Sequence, residues 1–351
     1  MVGSVVVGAD GRVVGRGYHH RVGGDHAEVE ALNAAASSAR GATLFVNLEP
    51  CSHHGRTPPC VDRIIESGVV RVVASHQDPN PEVSGRGFKS LREAGIDVEI
   101  GVLARRAVGL NLAFLVPHVL DRPQVTLKWA MSADGKIATA AGESQWISSP
   151  RGRRWALGLR EEHDAILVGS GTVLADDPSL NRRLGKAAGP ITRVILDRRL
   201  RCPPTAKLLS LEGPVLIYTE ASPDARTDRL EGAGATVVYL PKADLASILG
   251  DLHARGVGSV LVEGGGEILG SFAVAGLFDS VQICCAPLLI GGGAAPGPLG
   301  GAGVASLSSA RRLEELQVRH RGPDLLISGL RAGCFEEIER VVLPASQRCG
   351  R

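Results

Sequence analysis

The chain has 351 residues, of which 44% are hydrophobic, 22% are charged and 3% are aromatic, and its formal net charge is +2. This length and composition are typical of a soluble globular protein with two domains. The near-neutral charge and low aromatic content argue against nucleic acid and membranes as partners. No segment has the features of a signal peptide or a membrane span, so we expect a cytoplasmic protein.

Strands and helices are predicted to alternate over residues 1–120, which is typical of an α/β domain. Asp10-Gly11 predicts a tight turn between the first two strands. The predicted strands cover residues 4–7, 13–17, 43–48, 70–75 and 97–101. The predicted helices cover residues 26–40, 61–67, 88–94 and 104–114.

A break in this alternation falls at residues 117–123, which include two prolines and two charged residues. We therefore expect a first domain over residues 1–120 and a second over residues 121–331. Residues 332–351 show no clear pattern and are expected to form a tail of unknown role.

The second domain begins another α/β series. Ser149-Pro150 predicts a helix start, with a serine cap followed by proline at the first helical position. The predicted strands cover residues 125–130, 165–168, 193–196, 215–218, 236–239, 259–262 and 281–285, and a closing hairpin covers 316–321 and 325–330. The predicted helices cover residues 150–162, 225–231, 245–255 and 268–275.

Two of the seven cysteines stand out from the rest because they flank a polar, proline-bracketed loop. These are Cys51 and Cys60, whereas the others are scattered without regular spacing, which does not indicate a disulfide framework. The adjacent pair Cys284-Cys285 is best explained as part of an apolar strand.

His26, Glu28, Cys51 and Cys60 together predict a catalytic zinc site. One imidazole and two thiolates fill three tetrahedral positions and leave the fourth for water. Zinc lowers the pKa of bound water, and a carboxylate two residues after the histidine can move its protons. The order H-x-E, P-C and C is that of zinc-dependent nucleobase deaminases, although eight residues rather than two separate the cysteines here.

Two simpler explanations of these residues stay open. Asp25 and Glu28 have the spacing of a capping box at a helix start. His53 or His54 could instead supply a fourth ligand and complete a structural zinc site.

Residues 260–271 predict a strand, a glycine turn and a helix start. Backbone N–H groups in such a turn can hold a pyrophosphate at the positive end of the helix. The glycines do not follow G-x-G-x-x-G, so they do not form the Rossmann fingerprint. A purely structural turn therefore stays open.

The chain resembles the bifunctional deaminase/reductase family of riboflavin biosynthesis over about residues 2–330. The motifs that carry the resemblance are residues 48–60 (LEPCSHHGRTPPC), 78–81 (DPNP), 85–87 (GRG), 128 (K), 132–136 (SADGK), 142–147 (GESQWI), 171–178 (GTVLADDP), 262–265 (VEGG) and 286–292 (APLLIGG). The cysteine insert is the most specific of these, and the glycine strings alone are weak.

The resemblance implies a cytidine-deaminase-like zinc domain followed by a dihydrofolate-reductase-like domain. The implied reactions are hydrolytic deamination of a diaminopyrimidinone phosphoribosylamine and NADPH-dependent reduction of its ribosyl group to ribityl. The implied cofactors are one Zn²⁺ per subunit and NADPH. The implied partners are small pyrimidine ribose-phosphates, and a homo-oligomer is left open.

The resemblance also implies roles for individual residues. In the deaminase these are zinc ligation by His26, Cys51 and Cys60, proton transfer by Glu28, and substrate contacts by His19, Arg56, Asp78 and Asn80. The implied NADPH contacts are Ala130, Trp146, Thr172, Asp176, Gly265, Gly266, Glu267, Ile268, Leu269, Gly270 and Ser271. The implied contacts of the reductase substrate are Ser144, Arg160, Leu180, Arg183 and Glu263.

One departure from the family pattern concerns the N-terminus. Family members have a helix and a Pro-Asn-Pro segment before the strand that begins here at Val2-Gly3. The N-terminal helix is therefore expected to be missing, and three explanations stay open: a misassigned start, a truncated chain or a weakened deaminase half. One rival hypothesis is a reductase with a vestigial deaminase domain, and another is a zinc-stabilised nucleic-acid-binding module.

Overall fold

The chain folds into two units, each with its own sheet. The computed structural model describes residues 1–21, 23–55, 57–81, 83–185 and 189–345. The first unit comprises Met1–Leu120 together with the segment that starts at Gly333, and the second comprises Asp121–Ala332. Both units are α/β, as the sequence predicts.

The first unit is a five-stranded sheet with helices between its strands. Its strands are β1 (Gly3–Val7), β2 (Val13–Tyr18), β3 (Thr43–Val46), β4 (Arg71–Ala74) and β5 (Asp97–Ile100), in the order β2-β1-β3-β4-β5. Its helices in this part of the chain are α1 (Ala27–Ala35), α2 (Cys60–Ser67), α3 (Arg86–Glu93) and α4 (Ala104–Leu120). Strand β1 is antiparallel to β2 and β3, whereas β3, β4 and β5 run parallel.

Helix α1 packs very closely against β2 because two glycines of the strand face it. A Cβ atom at Gly15 would lie 2.1 Å from the carbonyl oxygen of Ala31, and one at Gly17 would lie 2.4 Å from that of Ala27. Any side chain at these positions would push the helix outward. The two glycines thus fix the helix whose first turn contains Glu28.

Helix α4 is longer than predicted. The sequence analysis ends this helix at residue 114 and places a break at Pro117, but the helix continues through a kink at Asn111 to Leu120. Proline costs one helical hydrogen bond. Leu115, Val116 and Pro117 are all buried, and we attribute the continuation of the helix to this apolar packing.

The second unit is a nine-stranded sheet flanked by helices. Its strands are β6 (Gln124–Ser132), β7 (Ala165–Gly169), β8 (Thr192–Leu196), β9 (Val215–Thr219), β10 (Thr236–Tyr239), β11 (Ser259–Val262), β12 (Ser280–Ala286), β13 (Leu313–Arg321) and β14 (Asp324–Arg331). Its helices are α5 (Pro150–Glu161), α6 (Ser170–Asp176), α7 (Ala225–Gly232), α8 (Leu245–Ala254) and α9 (Gly266–Ala275). Ser149 caps α5 as predicted, whereas α6 was not predicted.

The strand order of this sheet is β10-β9-β8-β7-β11-β6-β12-β14-β13. Strands β6 to β12 pair in parallel, and β14 and β13 add an antiparallel edge. Alternate residues of β7 belong to different apolar clusters, with Leu167 in one and Ile166 and Val168 in the other. Since side chains alternate across a strand, the sheet is covered on both faces.

Residues 332–351 were expected to form a tail without a clear pattern, but Cys334–Val342 form the last helix, α10. Its buried residues Cys334, Phe335, Ile338 and Val342 have helical spacing, which the sequence analysis overlooked. The helix packs against α4 of the first unit, and the carbonyl of Val342 accepts a hydrogen bond from the N–H of Gln77 at 2.8 Å. Across the described residues, every helix is too short or too polar to traverse a bilayer.

Candidate active sites

The structure brings together the three predicted zinc ligands. His26 is the N-cap of α1, Cys51 follows β3 after a short loop, and Cys60 is the first residue of α2. The Nδ1 atom of His26 lies 3.2 Å from the Sγ of Cys60 and 3.5 Å from that of Cys51. Ligands of one tetrahedral zinc ion are about 3.6 Å apart for nitrogen and sulfur. The donor types and spacing therefore fit zinc, with Nδ1 as the ligand atom of His26.

Both simpler explanations of these residues are weakened by the geometry. The N-cap of α1 is His26 rather than Asp25, and it makes no side-chain capping bond, so no capping box forms. Within the described residues, the group of candidate metal ligands contains only His26, Cys51 and Cys60. Three protein ligands are the number typical of a catalytic rather than a structural zinc site.

The two cysteines are electrostatically linked. Hydrogen bonds from Cys60 and from His26 hold the pKa of Cys51 well below its usual value, against the effect of burial. The same contact with Cys51, together with burial, raises the pKa of Cys60. The pair thus favours a thiolate at Cys51, which is the form that binds a metal.

Glu28 is buried beside these ligands, with only 3% of its surface exposed. Burial raises its pKa to about 7. Its Oε2 atom has no hydrogen-bond partner within the described part of the chain. A carboxyl group with a near-neutral pKa and a free oxygen is suited to accept and release a proton.

A cavity of about 220 Å³ opens beside the predicted ligands. Its lining residues are His19, Gly23, His26, Cys51, His53, Gly55 and Thr57. The His19 ring meets the His26 ring edge-on, with centroids 5.4 Å apart, and its Nδ1 lies 3.1 Å from the carbonyl oxygen of Asp25. Arg56, the other predicted contact from this part of the chain, lies outside the described residues.

Asp78 and Asn80 follow β4 in a tight turn, where the backbone N–H of Asn80 donates to the Asp78 carboxylate at 2.8 Å. Burial raises the pKa of Asp78. The turn is connected to the chain just before Cys51, because the N–H of Asp78 donates to the Glu49 carboxylate at 3.1 Å.

In the second unit, the predicted residues gather at the carboxyl ends of the parallel strands β6, β7 and β11. Ala130 is near the end of β6, Thr172 is on the helix that follows β7, and Glu263 follows β11 directly. Ligands of open parallel sheets bind at this edge. The arrangement therefore fits a cofactor and substrate site.

Glu263 lies at the centre of a buried charge cluster at this edge. Arg160 donates to it twice, with Nε–Oε1 and Nη2–Oε2 distances of 3.0 and 2.8 Å, and Lys128 Nζ lies 3.7 Å from Oε2. Burial acts to raise the pKa of Glu263, but Lys128 and Arg160 overcome it and hold the pKa at about 2. Sequence reasoning did not assign a role to Lys128, although the resemblance includes that residue.

The glycine turn before α9 is closely packed. A Cβ atom at Gly264 would lie 2.7 Å from the Cα of Val168, and one at Gly270 would lie 2.1 Å from the carbonyl oxygen of Gly300. Gly265 donates its N–H to the Thr172 hydroxyl at 3.2 Å. Protein backbone thus fills the space beside Gly264 and Gly270, whereas Gly265 is exposed and its backbone is accessible to a cofactor.

The predicted cofactor contacts in the first turns of α9 differ in exposure. Gly266 is partly buried, and Glu267 and Ser271 are exposed, with the Ser271 hydroxyl donating to the Glu267 carbonyl at 2.7 Å. Ile268 packs against Gly169, and Leu269 is 2% exposed. These two apolar side chains face the core, so only their backbone atoms are candidates for cofactor contacts.

The other predicted reductase residues lie on loops, except Asp176, which is the last residue of α6. Trp146 is 67% exposed and its ring stacks on the guanidinium of Arg153 at 4.6 Å, a contact that the sequence did not reveal. Ser144 is half-buried and Asp176 is exposed. Leu180 is buried with a φ of 45°, and exposed Arg183 donates to Asn181 at 3.0 Å.

Comparisons with known proteins cover both units. Residues 1–76 match the cytidine and deoxycytidylate deaminase zinc-binding region, and residues 123–344 match the RibD C-terminal domain. The riboflavin biosynthesis protein RibD of Bacillus amyloliquefaciens is 45% identical, over 94% of this chain and 90% of its own. That of Escherichia coli is 40% identical, over 93% and 92%.

Solved structures give the same result. Form 1 of Acinetobacter baumannii RibD is similar with a TM-score of 0.79 and 36% identity, over 94% of this chain and 92% of its own. A Thermotoga maritima protein, named as a diaminohydroxyphosphoribosylaminopyrimidine deaminase/5-amino-6-(5-phosphoribosylamino)uracil reductase, has a TM-score of 0.78 and 35% identity over the same shares. The predicted fold class, a cytidine-deaminase-like domain followed by a dihydrofolate-reductase-like domain, is confirmed.

Proposed function

We propose roles for individual residues in the two reactions of this chain, which belongs to the RibD family of bifunctional riboflavin-biosynthesis enzymes. The substrate of the first reaction is 2,5-diamino-6-(5-phosphoribosylamino)pyrimidin-4(3H)-one. Water replaces its ring amine, which leaves as ammonia. In the second reaction NADPH and a proton reduce the opened ribosyl group to a ribityl group.

The deaminase reaction is assigned to the first unit. His26, Cys51 and Cys60 hold the zinc ion, which when bound supplies an acidified water at neutral pH. Glu28 takes a proton from water through its free Oε2 and returns protons to the ring and the leaving amine. His19, Arg56, Asp78 and Asn80 hold the substrate, with the Arg56 cation suited to its phosphate.

The reductase reaction is assigned to the carboxyl edge of the second sheet. NADPH, when bound, supplies the hydride, and the protein positions it. The cofactor lies along Ala130, Trp146, Thr172, Asp176 and the turn at residues 265–271.

The sugar-phosphate substrate of the reductase is held by a second set of residues, namely Ser144, Arg160, Leu180, Arg183 and Glu263. Because the Arg160 guanidinium already donates two hydrogen bonds to Glu263, the exposed Arg183 is the better partner for a phosphate group. Glu263 is fixed as a carboxylate and can accept hydrogen bonds from ribose hydroxyl groups.

The convergence of His26, Cys51 and Cys60 beside the buried carboxyl group of Glu28 carries the deaminase proposal. Its direct test measures ammonia release and NADPH oxidation separately on the purified, zinc-loaded full chain. Both are expected with the diaminopyrimidinone substrate, and NADPH oxidation alone is expected with the deaminated one. Reduction without any ammonia release would favour the vestigial-deaminase hypothesis, and ammonia release without NADPH oxidation would overturn the reductase assignment.

The metal assignment has a matched control within the chain. The Cys51→Ser/Cys60→Ser double variant should lose its zinc by metal analysis. Cys202→Ser, which changes a buried free cysteine of the second unit, should retain one zinc per chain. Zinc retained by the double variant would refute the assigned ligands.

A further inference from the structure

Glu49 is a buried carboxylate that the deaminase mechanism above does not use. It precedes Pro50-Cys51 and is 3% exposed. Within the described part of the chain it has no ion-pair partner, and it is held instead by backbone N–H groups. Its Oε2 accepts from Asp78 and Gly85 at 3.1 and 2.9 Å, and its Oε1 accepts from Gly87 and Phe88 at 2.9 and 3.4 Å.

These four donors belong to one continuous piece of chain that leads from Asp78 into the first turn of α3. Gly87 and Phe88 are in that turn, where unpaired N–H groups and the helix dipole favour an anion. Oε2 of Glu49 therefore connects the turn at Asp78 with the N-cap of α3 at Gly85, and Oε1 binds the first turn of the helix.

Close packing reinforces this connection. A Cβ atom at Gly87 would lie 2.1 Å from the carbonyl oxygen of Pro50 and 3.2 Å from the Glu49 carboxylate. Helix α3 thus rests directly on the residue that precedes Cys51. The side chain of Glu49 thus connects the segment that contains Cys51 with the segment that contains Asp78 and Asn80.

We propose that Glu49 is a positioning residue that sets the location of Asp78 and Asn80 relative to the metal ligands, and so controls the affinity of the deaminase for its substrate. The proposal rests on the proposed deaminase function. It assigns to Glu49 no contact with the substrate and no share in proton transfer.

Glu49→Gln in the full chain tests this role. The amide oxygen can replace one carboxylate oxygen, but the NH₂ group must then face the N–H donors of the other pair. Leaving such donors unsatisfied should raise the KM for the diaminopyrimidinone about tenfold, with a smaller change in kcat. Zinc content and NADPH oxidation with deaminated substrate should match the wild type.

Two further variants separate positioning from general destabilisation. Leu91→Ala truncates a fully buried side chain of the same helix and keeps all four N–H donors to Glu49, so it should lower stability but keep the wild-type KM. Gly87→Ala keeps the carboxylate but forces α3 away from Pro50, so it should raise KM in the same direction if Glu49→Gln does not fold. Glu49→Asp keeps both oxygens at shorter reach and should fall between the wild type and Glu49→Gln.

The outcomes are distinguishable from failure of the proposed function. A wild-type chain that releases no ammonia contradicts the deaminase assignment itself. If the wild type is active, an unchanged KM in Glu49→Gln, or in Gly87→Ala where Glu49→Gln does not fold, overturns the inference. An equal rise in Leu91→Ala, or loss of zinc from Glu49→Gln, overturns it as well.

Discussion

The two candidate sites differ in how the chain assembles them. The deaminase site is local, because His26 and Cys60 are 34 positions apart and lie at the starts of successive helices. The reductase site is non-local, because Arg160 and Glu263 are 103 positions apart and Thr172 and Gly265 are 93 apart. A local site leaves a motif in the sequence, whereas a non-local one depends on the strand order of the sheet.

The two sites also use buried glutamate in opposite ways. Glu28 lacks a partner for Oε2, and burial raises its pKa to about 7. Glu263 is also desolvated, but Lys128 and Arg160 hold its pKa at about 2. The first is suited to carry a proton and the second to remain charged, so the surroundings rather than the residue type decide the role.

The sharpest test of this contrast is Glu28→Gln, for which we expect the largest effect. The amide keeps the shape of the side chain but cannot carry the proton, so ammonia release should fall by about 10²- to 10⁴-fold. Zinc content should be unchanged, since Glu28 is not among the predicted ligands. NADPH oxidation with deaminated substrate should also be unchanged, and normal deamination by this variant would reduce Glu28 to a structural role.

Local signals account for what the sequence predicted well. The hairpin at Asp10-Gly11, the cap at Ser149 and the grouping of three candidate metal ligands each depend on neighbouring residues or on one motif. Helix α6 was missed because it follows β7 without a connecting loop, and α10 because its apolar spacing was overlooked.

The long-range contacts of both sites could not be predicted. Nothing in the local sequence pairs Arg160 with Glu263 or brings the N–H groups of α3 to Glu49. These contacts follow from sheet order and helix packing, which are properties of the whole fold. The resemblance named the residues at the reductase site but not their partners.

A second prediction concerns the close packing of Gly270, on α9 of the reductase, against the loop at Gly300. In Gly270→Ala the new Cβ would lie 2.1 Å from the carbonyl oxygen of Gly300, so the facing loop must move. Overpacking of this kind costs about 1–3 kcal/mol of stability. Because the displaced loop packs on α9, we also expect the KM for NADPH to rise, by about five- to tenfold for a loss of about 1–1.4 kcal/mol in binding. Initial rates of NADPH oxidation with deaminated substrate measure this change.

Gly250→Ala is the matched control, because Gly250 lies on α8 with no atom within 4 Å of its added Cβ. It should keep the wild-type KM and gain about 0.5–1 kcal/mol of stability from the better helix former. Both variants should release ammonia at the wild-type rate. An unchanged KM in Gly270→Ala would remove the loop around Gly300 from the proposed cofactor site.

The smallest expected effect concerns acid stability, where each unit contains a buried histidine. His163 of the second unit lies 2.7 Å from the Leu159 carbonyl through Nδ1 and 2.9 Å from the Thr126 hydroxyl through Nε2. His76 of the first unit contacts the Gln77 carbonyl through Nδ1 at 2.9 Å, and its Nε2 has no partner among the described residues. Burial lowers the pKa of both imidazoles.

A lowered pKa means that the folded protein resists protonation more than the unfolded chain does. The free energy of unfolding should therefore be unaffected by these groups above about pH 6.5 and should fall as the pH drops below it, by at most about 1.4 kcal/mol per pH unit for each histidine. His163→Gln removes one titrating group. Between pH 7.5 and pH 5.5 the free energy of unfolding, measured with urea, should therefore fall less in this variant than in the wild type. The part that remains should contain the contribution of His76. If the free energy of unfolding falls by the same amount in the variant and the wild type, His163 has the same pKa in the folded and unfolded chains, and its burial in the second unit has no electrostatic cost.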